Sequence, residues 1–259
     1  MNTPNIGIAL SGGGARGAAH IGALQALNEN NIFPTMVSGS SAGALIGAIY
    51  CSGYTPLEML ALCKEHAFLK IFKIGFTNKG LTELKYLEAF LKTHLKAKTF
   101  EDLKIPLSIG VTNINTGMFE VRSSGDLIKT ILASCSIPLL FKPVKLDKDV
   151  YIDGGVLNNL PIEPLQETCD KIIGISVCPH VYKEKVVGIK DIAERVFHLG
   201  VWNTMEHRLK QCDVAIEIEG AFQFGIFDLK HASALFDTGY QTTIAKMNMI
   251  TENIASDKK

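Results

Sequence analysis

A serine flanked by small residues, Gly39-Ser40-Ser41-Ala42-Gly43, stands where an apolar run gives way to a helical pattern. That setting suits a nucleophile. A sharp strand-to-helix turn exposes the hydroxyl, the glycines let backbones pass closely, and the helix N-terminus behind it favours developing negative charge. Gly-x-Ser-x-Gly also arises by chance in glycine-rich chains, so it needs partners. A candidate base is Asp153, in Asp153-Gly154-Gly155 after the apolar run 150–152. This places a carboxylate at a strand end, where α/β folds put reactive groups. A plain Asp-Gly turn is the competing reading.

The run Gly12-Gly13-Gly14-Ala15-Arg16-Gly17 satisfies G-x-G-x-x-G between a strand and a helix, so a dinucleotide site has to be weighed. Such a site expects an acid about 20 residues on, at the end of the next strand. That strand end reads Val37-Ser38-Gly39-Ser40-Ser41 and carries none. No Gly-Lys-Ser/Thr follows either, which excludes a P-loop. What remains is a nest of backbone N–H groups at a helix start, suited to holding an oxyanion. Arg16 either braces this loop, adds positive charge near the oxyanion, or is an ordinary surface arginine.

These groups need a scaffold. Ile6, Ile8 and Leu10 predict a strand before the glycines, and Ile21, Leu24 and Leu27 predict a helix after them. A strand is expected over 34–38 and a helix over Ala42–Cys51, closed by Gly53. Thr55-Pro56-Leu57-Glu58 reads as a capping box opening another helix. Leu84, Leu87, Leu91 and Leu95 predict an amphipathic helix over 82–96, and further strands are expected at 107–111, 119–121, 150–152, 171–177 and 214–218. The alternation predicts an α/β sheet with helices on both faces. No repeat or linker divides the chain, so one domain over 1–259 is the simpler reading.

Glycine loop, serine elbow and Asp-Gly-Gly, in that order, resemble the patatin-like phospholipase family of the bacterial type. The likeness extends through 133–144 with Ser136-Ile137-Pro138, through Asn158-Asn159-Leu160-Pro161, and more weakly over 112–117. It implies a three-layer fold with a mostly parallel central sheet. It also implies a serine acyl-ester hydrolase of phospholipase A or lysophospholipase type, with Ser41 as nucleophile, Asp153 as base, and Gly12, Gly13, Gly14 and Arg16 as the oxyanion hole. No cofactor or metal is implied. The same motifs fit an acyltransferase, and a non-catalytic lipid-binding module is the rival from another class. One departure is Ser11, where plant patatins carry aspartate.

A histidine triad is formally open, since His180, His198, His207 and His231 follow Asp153. None has a telling context, and His20 has the spacing of a helix-packing residue, so a Ser-Asp dyad is expected. The 26 basic residues balance the 26 acidic ones, giving no electrostatic case for nucleic acid. The N-terminus lacks the basic region of a signal peptide, and no apolar run reaches the roughly 18 residues that span a bilayer. The six cysteines include no C-x-x-C pair and suit reduced core thiols, which points to a cytoplasmic protein. Contact with lipid would then be peripheral. Segment 68–80, with Phe68, Leu69, Phe72 and Phe76 beside Lys70 and Lys73, is a candidate docking stretch. Core packing is its alternative.

Overall fold

The computed structural model describes residues 4–71 and 82–256. Its centre is an eight-stranded sheet built on β1 (Ile6–Leu10), every residue of which is buried. A strand apolar along its whole length suits only the middle of a sheet covered on both faces. β2 (Met36–Ser40) and β7 (Lys171–Ser176) flank it in parallel, β3 (Leu107–Asn113) continues from β2, and β8 (Val214–Glu217) continues from β7. Three antiparallel strands gather around β3: β4 (Met118–Arg122), β5 (Val144–Leu146) and β6 (Asp149–Asp153). The sheet is thus mostly parallel, in the order β5-β6-β3-β2-β1-β7-β8, with β4 also on β3.

Side-chain alternation along β1 divides the core between the two faces. Ile8 and Leu10 join a large apolar cluster with α1 (Ala18–Glu29), α2 (Ala42–Cys51) and α3 (Ala232–Ala245). Ala9 joins a second cluster with Leu165, Val201, Met205 and Leu209. The expected helices on both faces of an α/β sheet are therefore present.

Some boundaries differ from the sequence reading. β2 starts later than 34–38 and runs on through Gly39 and Ser40, because those two residues pair with Ile109 and Gly110. Loop-like composition yields there to pairing on both strand edges. The helix expected over 82–96 is shorter, Lys85–His94, since Thr82 bridges to Phe141 instead. β5 was not foreseen; at three residues it is too short to show an alternation. Of segment 68–80, Phe68 and Ile71 are buried in the core, while residues 72–81 lie outside the described ones. Among the described residues no helix is long and apolar enough to cross a membrane.

α1 carries the glycine loop at its start, and α3 clamps it. The two helices meet backbone to backbone: a Cβ on Gly22 would collide with the Phe236 carbonyl, and one on Gly239 with the Ala19 carbonyl. Overpacking such a contact outweighs the gain in helix propensity. Gly239→Ala is expected to lower the unfolding free energy by about 1–3 kcal/mol, read from urea denaturation. Unchanged stability would show that α1 and α3 can shift apart enough to admit the methyl group.

Candidate active site

β2 ends at Ser40, α2 begins at Ala42, and Ser41 joins them with φ 52° and ψ −120°. A positive φ at serine is strained, by about 1–3 kcal/mol, and persists only where neighbours enforce it. Here the Ser41 N–H donates to Ser134 Oγ at 2.8 Å, Ser134 Oγ donates to the Gly110 carbonyl at 2.7 Å, and Cys135 Sγ donates to the Ser41 carbonyl at 3.4 Å. The flanking glycines are steric necessities. A Cβ on Gly39 would lie 2.5 Å from the Gly43 carbonyl carbon, and one on Gly43 would strike the Leu10 carbonyl. Ser41 occupies the N-cap of α2 yet makes no capping bond. Its hydroxyl is turned elsewhere.

It donates to Asp153 Oδ2 at 2.6 Å. The second carboxylate oxygen accepts the Gly155 N–H at 2.8 Å, and the Asp153 backbone is fixed by its N–H to Ser136 O and by Thr112 Oγ1 on its carbonyl, both at 3.0 Å. Asp153 closes β6 and caps the short 3-10 turn Gly154–Val156. Ser41 and Asp153 are both buried, and burial pushes the Asp153 carboxyl up to about 6, against the opposing pull of the Ser41 hydroxyl and the Gly155 amide. A carboxylate at that level is ionised at neutral pH and still basic enough to take a proton.

The glycine loop lies against the elbow, since a Cβ on Gly12 would sit 3.0 Å from Ser41 Cβ. Its three amides differ. Gly12 N–H donates to the Asn159 carbonyl at 3.2 Å, whereas the N–H groups of Gly13 and Gly14 meet no acceptor among the described residues. Two backbone donors thus remain for a ligand, beside the N-terminus of α2. Arg16 is no surface residue: it is buried, its Nε donates to the Phe224 carbonyl at 2.8 Å, and its guanidinium lies 4.9 Å from the Phe222 ring centroid. It ties the loop to the Phe222–Phe224 stretch.

No histidine among the described residues hydrogen-bonds Ser41 or Asp153. His180 stacks on Trp202, His198 packs edge-on to Phe222, His207 lies on the short helix Glu206–Leu209, and His231 pairs with Asp228. His20 is fully buried and donates through Nε2 to the Ser11 carbonyl at 2.8 Å. Burial pushes it down to about 4, so it stays neutral. Ser11, the departure noted above, donates to Gly12 O at 3.1 Å and accepts the Val177 N–H at 3.0 Å. The sequence reading singled out neither Ser134 nor Asn159. Both lie within stretches that carried the family likeness, but a buried serine or asparagine shows its partners only after folding.

A family model described as patatin-like phospholipase matches residues 8–165. Lysophospholipase NTE1 of Mycosarcoma maydis is 25% identical over 93% of this chain, and neuropathy target esterase sws of Drosophila melanogaster is 32% identical over 61% of it. The chain spans only 14% and 12% of those two relatives' own lengths. Among solved structures, VipD from Legionella pneumophila superposes with a TM-score of 0.52 at 16% identity, covering all of this chain and 72% of that one. Human GIVD cytosolic phospholipase A2, in complex with methyl gamma-linolenyl fluorophosphonate, gives 0.50 at 11% identity, covering 97% of this chain and 58% of that one. These two likenesses bear on the fold alone. The family model takes in more than half of the sequence, from the first strand to beyond the Asp-Gly-Gly turn, and the chain therefore belongs to the patatin-like phospholipase family.

Proposed function

We propose that this chain is a lipid acyl hydrolase, acting on phospholipid or lysophospholipid esters through a Ser41-Asp153 dyad. The observation that carries the reading is the 2.6 Å bond from Ser41 Oγ to a buried Asp153 carboxylate, in a family of this kind. Asp153 takes the serine proton as Oγ attacks the ester carbonyl carbon. The resulting oxyanion accepts from the Gly13 and Gly14 N–H groups, with the start of α2 adding its dipole. Collapse expels the alcohol, which receives the proton from Asp153. Water then attacks the acyl-serine, giving its proton to Asp153, and the fatty acid leaves as that proton returns to Ser41.

The lining between the loop and α2 is apolar, built from Ala15, Ala42, Leu45, Ile46, Phe68 and Ile71, which favours a fatty-acyl substrate over a polar one. Substrate in a bilayer implies peripheral contact with membrane. Were an alcohol other than water to take the acyl group, the same dyad would run an acyltransferase, and product analysis separates the two.

Fluorophosphonate is expected to add one phosphonyl group, at Ser41 and not at Ser40, by intact mass and peptide mapping. A Ser41→Ala protein that still labels, or that keeps esterase turnover, removes the nucleophile assignment.

Asp153→Asn is expected to lose at least 1000-fold in kcat, as deletion of a catalytic group in such a unit does. Alanine at His180, His198, His207 or His231 should leave kcat within a few-fold. A collapse in any folded histidine variant would replace the dyad with a triad.

The base works only when ionised, and burial sets Asp153 to about 6. Turnover on a soluble ester should therefore fall as pH drops through about 6 and level off above it. A midpoint near the ordinary carboxylate value would show that Asp153 is hydrated in the working enzyme.

A further inference from the structure

Two glycines from separate motifs are kept free of side chains by one asparagine. A Cβ on Gly12, in the loop, would collide with Asn159 Oδ1, and a Cβ on Gly155, in the Asp-Gly-Gly turn, would lie 2.5 Å from that same atom. The Asn159 carboxamide is therefore wedged between the oxyanion loop and the turn that holds the base. It is itself held: the residue is buried, its N–H donates to Thr204 Oγ1 at 3.1 Å, and Nδ2 lies 3.4 Å from Met205 Sδ.

Asn159 also grips Gly12 at both ends. Its backbone carbonyl accepts the Gly12 N–H at 3.2 Å, and its Nδ2 donates to the Gly12 carbonyl at 3.4 Å, alongside Ser11 Oγ. In a trans peptide the carbonyl and the following N–H point in opposite directions. Fixing the Gly12 carbonyl therefore aims the Gly13 N–H, which meets no acceptor among the described residues. On the other side Gly155 lends its N–H to Asp153 Oδ1 at 2.8 Å, so the carboxamide packs against the group that orients the base.

We propose that Asn159 is a positioning residue, which sets the oxyanion loop and the base turn at a fixed spacing and aims the Gly13 amide. It touches no reacting atom. The proposal rests on the hydrolase reading above, and its own content is that oxyanion stabilisation depends on a side chain in a third segment.

Asn159→Ala should lower kcat about 10- to 100-fold on a soluble ester, less than the roughly 100- to 1000-fold cost of deleting an oxyanion donor outright. KM should stay within about twofold, and the pH midpoint should not move, because Asp153 keeps its partners. A purely structural role would lower the melting temperature yet leave kcat intact in the folded protein, and that result overturns the proposal. Should the alanine variant fail to fold, Asn159→Asp fills the same space but cannot donate to the Gly12 carbonyl. At high pH it is expected to show the same loss, and full kcat there overturns the proposal.

The wedge itself is tested by Gly155→Ala, made alone and on Asn159→Ala. Alone it should cost activity heavily; combined, its added cost should be clearly smaller, with the remainder set by the 3.1 Å approach of the new Cβ to Asp153 Oδ1. Additive losses would show that the two residues do not contact. A wild-type chain that neither hydrolyses esters nor labels at Ser41 would refute the hydrolase reading first. Normal wild-type turnover with an indifferent Asn159 refutes the positioning role alone.

Discussion

The arrangement depends on one strand edge shared by two strands. Along a single edge of β3, β2 pairs as far as Gly110 and β6 takes over from Val111, while β4 occupies the other edge. Ser40 faces Gly110 and Asp153 faces Val111, so the serine elbow and the aspartate leave the sheet at successive residues of one backbone. Successive strand residues are about 3.3 Å apart. A hydrogen bond between groups 112 residues apart in sequence thus inherits its precision from a β-ladder. Because β2 runs parallel and β6 antiparallel to β3, the two strands approach that point head-on and both end there, at Ser40 and Asp153.

Burying the base has an energetic consequence. The folded protein holds the Asp153 proton more tightly than the usual 3.8, with the carboxyl at about 6. Folding therefore favours its protonated form. That contribution is fully present below the unfolded value and is lost as pH rises through about 6. At neutral pH the ionised group opposes folding, so the site trades stability for a base of useful strength. The strained Ser41 backbone is a second local cost, offset by its bonds to Ser134 and Cys135.

Buried polar side chains do the remaining alignment. Ser38 and Ser40 alternate along β2 and donate to the Pro161 carbonyl at 2.5 Å and the Asn158 carbonyl at 2.8 Å. They tether the 158–161 segment across the sheet face, and Asn158 in turn donates to Glu163, which Arg208 pairs at 2.6 Å. Each hydroxyl would be costly to bury alone. Satisfied by fixed carbonyls, these groups specify one register for the segment that delivers Asn159.

Much of this was legible in the residues themselves. Apolar runs at Ile6–Leu10 and 171–177, helical spacing after the glycines, and a capping box at Thr55 reflect local backbone and solvent preferences, which act on each segment independently. The serine elbow and the aspartate turn could be found because their glycines leave a mark in the sequence. Tertiary structure alone decided which groups meet. Nothing local distinguishes Gly12, whose amide is committed to Asn159, from Gly13 and Gly14, whose amides meet no acceptor among the described residues. Arg16 read equally well as exposed until Phe222 and Phe224, over 200 residues on, closed around it. Ser134 and Asn159 are polar residues whose partners lie 93 and 147 positions away, and such pairings follow from how the sheet orders its strands rather than from any periodicity.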